Sequence, residues 1–274
     1  MINSKQWLLG LLTLLLLMSN KYAIAFQLSP AVAKLEAEGA KSEQIYLLTN
    51  NTSAPAAIQF KILTRQQWTD GSENRNPAQH LFSINPQQVV IPSGGTQKVR
   101  VRWLGGIQIP REQAYRFVAQ QLPIALTPAD SYSIQITFTM EGALYIKPSG
   151  STGSSLSSTS RYRPQPGQSA VRNPDQTQTQ APMLQVKKLA LVNTPEGKRL
   201  ALTIHNPSPE HMLLTQVSIQ LSAPGKTPLN LRGDQLGNLL NQNLLAGATR
   251  NFMLPLPQGF DAQGQWNGKV LATP

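Results

Sequence analysis

The side chains able to do chemistry are few in this 274-residue chain, and they are poorly arranged for catalysis. The three histidines are His80, His205 and His211. His205 and His211 stand six apart with no carboxylate pair around them, so a metal site finds little support. Cysteine is absent, so neither a thiol nucleophile nor a disulfide framework exists. There is no G-x-S-x-G and no phosphate-binding loop. Glu36 and Glu38, two apart near the start, read as solvated charges. The chain is expected to be no enzyme and to use no cofactor and no metal. The chemistry that remains is non-covalent: basic side chains that can hold an anion, and rows of apolar side chains that can hold another chain. The stretch Ser131–Met140, SYSIQITFTM, alternates throughout, with Tyr132, Ile134, Ile136, Phe138 and Met140 on one face and short polar residues on the other. An apolar row on a strand without protective charges is open to pairing with a partner.

The elements that must position these groups are strands. Residues 1–25 read as an export signal: Lys5 is the positive start, Trp7 to Met18 is apolar but shorter than the ~20 residues of a membrane span, and Ala23-Ile24-Ala25 is a cleavage motif. Cleavage is expected between Ala25 and Phe26, with release into a bacterial periplasm and no stable membrane insertion. The net charge is +11, including Lys5 and Lys21 of the leader. A basic balance permits nucleic acid, anionic lipid or acidic partners, but the basic residues are scattered, and export excludes nucleic acid as the expected partner. Residues 149–182 are rich in Ser, Gly, Pro, Gln and Thr and cannot bury enough surface to fold. They are expected to form a flexible linker between a first domain, 26–148, and a second, 183–274.

Within the first domain, extended segments are expected over 26–35, 44–49, 56–64, 82–91, 97–103, 114–122 and 131–140, punctuated by Asn50-Asn51 and Pro92-Ser93-Gly94-Gly95. Short strands between turn signals, with no helical pattern, indicate an immunoglobulin-like β-sandwich. The second domain repeats the style, with strands over 184–191, 199–205, 214–221, 251–256 and 265–271, turns at Asn206-Pro207 and Pro224-Gly225, and a helical turn within 236–245. The fold class is therefore all-β, two sandwiches.

The run 88–123, QVVIPSGGTQKVRVRWLGGIQIPREQAYRFVAQQLP, resembles the periplasmic pilus-assembly chaperones of the PapD-like family. The matching elements are Pro92 to Gly95, Gln97 to Val101, Arg111-Glu112 to Tyr115 closing at Leu122-Pro123, and then Leu144-Tyr145-Ile146-Lys147-Pro148. The opening FQLSPAVAKLEAEGAKSEQIYLLTNNT and the second-domain LALTIHNPSPEHMLL extend the likeness over most of the chain. The resemblance implies two immunoglobulin-like domains in a boomerang arrangement. It implies a chaperone that binds, folds and caps pilus subunits by lending them its last first-domain strand, and delivers them to an outer-membrane usher. Ile134, Ile136 and Phe138 match the family's donor positions, with Tyr132 and Met140 at the two ends. The family holds a subunit's terminal carboxylate with a basic pair. Lys34 matches one position, but Ala143 stands where the other Lys is expected, so Arg116 and Arg102 become substitute candidates. That departure resembles the divergent alternative or archaic branches. An ion cluster between domains is implied at Glu112, Lys147 and Asp261. The rival reading is a structural or adhesive surface β-protein, such as a pilus subunit.

Overall fold

The computed structural model describes residues 25–123, 136–147, 184–261 and 263–272. The expected export signal, the 149–182 segment, and Tyr132 and Ile134 of the alternating row lie outside them. In the first domain the strands are β1 (Phe26–Ser29), β2 (Val32–Glu36), β3 (Glu43–Asn50), β4 (Ala56–Thr64), β5 (Gln66–Gln67), β6 (Glu73–Asn74), β7 (Phe82–Asn85), β8 (Gln88–Ile91), β9 (Thr96–Trp103), β10 (Gln113–Gln121) and β11 (Thr139–Lys147). In the second they are β12 (Gln185–Thr194), β13 (Gly197–His205), β14 (Met212–Leu213), β15 (Val217–Ser222), β16 (Leu229–Leu231), β17 (Asn243–Leu244), β18 (Thr249–Pro255) and β19 (Asn267–Ala272).

The first domain packs a four-stranded sheet, β1-β3-β9-β7, against a five-stranded one, β2-β11-β10-β4-β8. Period-2 patterning fills the space between them: Tyr46 and Leu48, Ile58, Phe60 and Ile62, Val99 and Val101, and Phe117 all turn inward and are buried. Phe117 lies at the centre, its ring stacked on Tyr46 at 4.1 Å and on Phe60 at 5.7 Å between centroids. Pro30 divides the expected opening segment in two. Before it, β1 pairs with β3 in one sheet; after it, β2 runs parallel to β11 in the other. Pro lacks the donor a continuous strand needs, so the chain changes sheets there. Pro86 separates β7 from β8 in the same way.

The second domain builds one six-stranded sheet, β16-β15-β19-β12-β13-β18, with β14 and β17 forming a separate ribbon. Leu200, Leu202, Ile204, Ile219, Leu221, Phe252 and Leu254 supply its core. The expected helical turn is a 3-10 segment, Gly233–Leu239, that inserts Leu236 and Leu239 into that core.

Each domain is closed by a buried asparagine at the turn expected from sequence. Asn50 Nδ2 donates to the carbonyls of Ala54, Ile91 and Pro92 at 2.9, 3.0 and 3.2 Å, while its Oδ1 accepts from the Thr52 backbone and hydroxyl. Asn206 does the same in the second domain, donating to Glu210, Leu244 and Leu245 and accepting from the Ser208 N–H. Both side chains satisfy carbonyls that have little access to water, and a buried carbonyl left alone is costly. Asn50→Ala should destabilise the first domain by about 3 kcal/mol in urea denaturation, while Asn51→Ala on the exposed neighbour should stay within about 0.5 kcal/mol of wild type.

Candidate functional site

The alternating row does not behave as one uniform strand. Among the described residues regular pairing runs from Thr139 to Lys147, meeting the expected 131–140 at its last two residues, while 131–135 lie outside the described residues. Over this length β11 has two different neighbours. It pairs antiparallel with β10 from Thr139 to Ile146, but parallel with β2 only from Ala143 to Lys147. Among the described residues, Thr139 to Gly142 therefore has no ladder on its β2 side. The even-numbered side chains change environment along the strand. Leu144 and Ile146 are fully buried in the chain's own core, and Met140 is partly buried against it. Phe138 is 39% exposed and Ile136 is 68% exposed. Phe138 leans on the ring of Phe26, 5.8 Å between centroids, and its backbone still bonds to Gln121. The row thus leaves the sandwich between Met140 and Phe138, and Met140 serves the rim of the chain's own core.

Odd-numbered residues of β11 face the second domain. Ala143 and Tyr145 pack with Leu245, and the Tyr145 ring stacks on His211 at 4.0 Å. Across the sheet, one row runs Val32, Ala143, Arg116, Leu63 and the next begins Lys34, Tyr145, Ala114. Paired residues share a face. Arg116, on the adjacent strand, lies directly opposite Ala143 on this face.

Arg116 is one of three arginines around a carboxylate that the sequence reading did not single out. Glu73, on the short β5–β6 hairpin, accepts from Arg65 Nε at 2.6 Å, from Arg116 Nη2 at 2.7 Å and Nε at 3.2 Å, and from Arg75. Its side chain is 12% exposed and that of Arg65 is 8% exposed. Burial alone pushes the Glu73 carboxyl up; hydrogen bonds from Arg116 and Arg65, and their charges, overturn this and hold it down at about 2. Arg75 also reaches Glu141, and Arg65 Nη1 donates to the Tyr145 hydroxyl at 2.8 Å. The segment TRQQWTDGSENRN carries the sequence signal for this hairpin. An Asp-Gly turn lies between two polar arms, with Arg on both sides of one Glu.

The other basic candidates are placed differently. Lys34 is exposed on β2, next to Tyr145 in register. Arg102 is corrected: it lies on β9, in the opposite sheet, on the face turned away from the core, and shares no surface with Arg116. The strand's own alternation decides this, because Val101 and Trp103 take the inward positions.

The expected ion cluster is rewired. Glu112, its side chain 1% exposed, accepts from the His211 N–H and lies 2.6 Å from His211 Nδ1. Lys147 pairs with Glu210 at 3.3 Å. Asp261 takes no part and is corrected too: it pairs with Lys226 at 2.9 Å and accepts from the Gly264 N–H, within the second domain. Its turn before β19 is used to order itself. The partners of Glu112 and Lys147 come instead from the 206–211 loop, which Asn206 braces through the Glu210 carbonyl. Among the described residues no group of three or more His, Cys, Asp or Glu gathers as a metal site, and no helix is long and apolar enough to cross a membrane.

Two measurements check this geometry. Glu73 has its folded value depressed from 4.5 to about 2, so its contribution is full above pH 4.5 and is lost as pH falls through 2. That contribution is on the order of 2–3 kcal/mol. Melting curves of wild type and Glu73→Gln should differ most near neutrality and converge toward pH 2. His211→Phe keeps a ring on Tyr145 but leaves the buried Glu112 carboxylate with the backbone N–H alone. It should cost about 3 kcal/mol in chemical denaturation, and adding Glu112→Met should restore most of the loss.

Comparison with known proteins places this architecture. Residues 25–152 match the family described as pili and flagellar-assembly chaperone, PapD N-terminal domain. A chain of the CsuC–CsuE chaperone–tip adhesion subunit pre-assembly complex, from archaic chaperone-usher Csu pili of Acinetobacter baumannii, superposes with a TM-score of 0.55 at 15% identity, covering 89% of this chain and 97% of that one. The E. coli chaperone DraB gives 0.48 at 17% identity, covering 91% and 96%. The Salmonella enterica SafA pilin–SafB chaperone complex gives 0.45 at 15% identity, covering 92% and 99%. At these identities the likeness is one of fold, and the Csu match carries it. A comparison with curated proteins finds no match. The match to the PapD N-terminal domain family thus covers the first domain, residues 25–152, and the fold over nearly the whole chain is similar to that of the Csu complex chain.

Proposed function

We propose that the protein is a periplasmic chaperone that binds, folds and caps pilus subunits by strand donation and delivers them to an outer-membrane usher. In this reading an export signal is removed between Ala25 and Phe26, and residues 149–182 are a flexible linker between the domains. The observation that carries the proposal is the split character of β11. Its second half is locked between β10 and β2, while Ile136 and Phe138 stand exposed just before it, next to the stretch Thr139 to Gly142 that has no ladder on its β2 side among the described residues. A strand held firmly at one end and open at the other suits β-augmentation: main-chain bonds give affinity, and alternate side chains enter an apolar groove. Burying Ile136 and Phe138 fully would contribute roughly 1.5–3 kcal/mol each, and Ile134 and Tyr132 would extend the same row. Release by strand exchange at the usher needs no cofactor.

Arg116, with Arg65 beside it, is the base best suited to hold a subunit's terminal carboxylate, since guanidinium groups bind carboxylates through paired, charge-assisted bonds. Lys34 lies on the same face, one row further along. A pilus subunit, the rival reading, would lack its last strand; here β11 fills that place beside β10 in its own sheet.

Ile136→Asp combined with Phe138→Asp should lower the melting temperature only slightly, because Ile136 is exposed and Phe138 only leans on the core's rim at Phe26. Recovery of subunits with tagged chaperone from periplasm should fall by roughly tenfold or more, the equivalent of at least one lost groove contact. Undiminished recovery would remove strand donation through these residues.

A further inference from the structure

The Glu73 site gathers three arginines around two carboxylates, Glu73 at its centre and Glu141 on Arg75 alone. Arg65, Arg116 and Arg75 all bond to Glu73, at 2.6, 2.7 and 2.9 Å. Removing that carboxylate would leave guanidinium groups crowded in a largely buried spot, which then requires an anion from elsewhere. The position of the site says where the anion would come from. Arg116 is the Cα partner of Ala143, and Ala143 is where β2 begins to cover β11. A polypeptide paired along the edge of Thr139 to Gly142, which has no ladder among the described residues, meets β2 at this row, so a chain that ends there brings its terminus close to the arginines.

The hairpin bearing Glu73 is secured without its carboxylate. Gln67 donates to the Asn243 carbonyl and accepts from the Leu245 N–H, and the Asn251 N–H donates to the Thr69 carbonyl. Asp70 closes the turn by accepting from Ser72. The Glu73 side chain can leave the arginines by changing rotamer while its backbone stays docked on the second domain.

We propose that Glu73 is a built-in stand-in for a carboxylate ligand: it occupies Arg65 and Arg116 in the free protein and yields them to the C-terminal carboxylate of a bound polypeptide strand. The inference rests on the capture of subunits proposed above and adds an internal competitor to it. Arginines left without a carboxylate partner would attract any small anion. Glu73 satisfies them until a ligand with both an apolar row and a terminal carboxylate arrives, so it acts as a selectivity filter as well as a brace.

The test is chemical rescue followed by competition. Glu73→Ala should melt below wild type, and sodium acetate should restore its melting temperature relative to sodium chloride at equal ionic strength. Wild type should not respond to the exchange of salts, and Glu73→Ala combined with Arg116→Gln should lose the response. Glu73→Gln, which keeps the side-chain volume, carries the same comparison if the alanine variant is too unstable to purify. No acetate dependence in any variant overturns the stand-in role. In the second arm, a synthetic peptide of alternating Val and Thr with a free C-terminal carboxylate should bind Glu73→Gln roughly tenfold more tightly than wild type, while the same peptide with a C-terminal amide should show no gain. Equal affinity of the carboxylate peptide for both proteins overturns the exchange and leaves subunit capture standing. Binding to neither protein, with acetate rescue intact, removes strand capture and the exchange together.

Discussion

Strand β11 has no solvent face over its second half, and the rest of the molecule is arranged around that constraint. Leu144 and Ile146 fill the first domain's core while Ala143 and Tyr145, on the other face, fill the contact with the second domain. Both edges are paired over the same stretch. A strand buried on two faces and two edges has one allowed register, because a slip of one residue would exchange all four side chains between environments. That register fixes where the upstream end emerges and which way Ile136 and Phe138 point when it does.

The contact between domains follows from the same strand. Tyr145 brings an aromatic ring to His211 and a hydroxyl to Arg65 and Asn243. The 206–211 loop, held by Asn206, supplies His211 and Glu210 to Glu112 and Lys147. The family pattern of one shared cluster is here two separate pairs. A Lys at position 147 suits this arrangement, since a point charge serves a single carboxylate while a planar guanidinium is adapted to bridging. The β5–β6 hairpin adds a second bridge, bonded to the second domain through Gln67 and Thr69. The arginine cluster thus lies beside both the emerging strand and the junction of the domains, where charge and backbone pairing can act on one ligand.

Much of the architecture was legible in the chain. Segment 56–64 was expected as a strand, and β4 is that strand, with Ile58, Phe60 and Ile62 turned inward. The turns at Asn50 and Asn206 were expected, and the side chains prove to be their buried fasteners. At Ile136 to Phe138 the alternation continues although regular pairing starts only at Thr139, because a period does not require a neighbour to pair with. Periodicity reports a tendency of one chain; a ladder needs two. The β5–β6 hairpin escaped notice because its strands are two residues long, too short for any period, and are held by ion pairs and by the second domain.

By itself the sequence determined which side chains alternate, where turns fall and which family pattern the chain follows, because these depend on local geometry and on order along one chain. Only the tertiary structure decided which charges meet. Arg116 lies 43 residues from Glu73 in sequence and joins it and Arg65 because β4, the hairpin and β10 are neighbours. Arg102, equally basic, lies in the far sheet because β9 pairs with β3 and β7, and it faces outward there because Val101 and Trp103 turn inward. Asp261 was taken by Lys226, and its expected role passed to Glu210 and His211. Charge–charge contacts act over a few ångströms in space, and a chain carries no record of those distances until its sheets have packed.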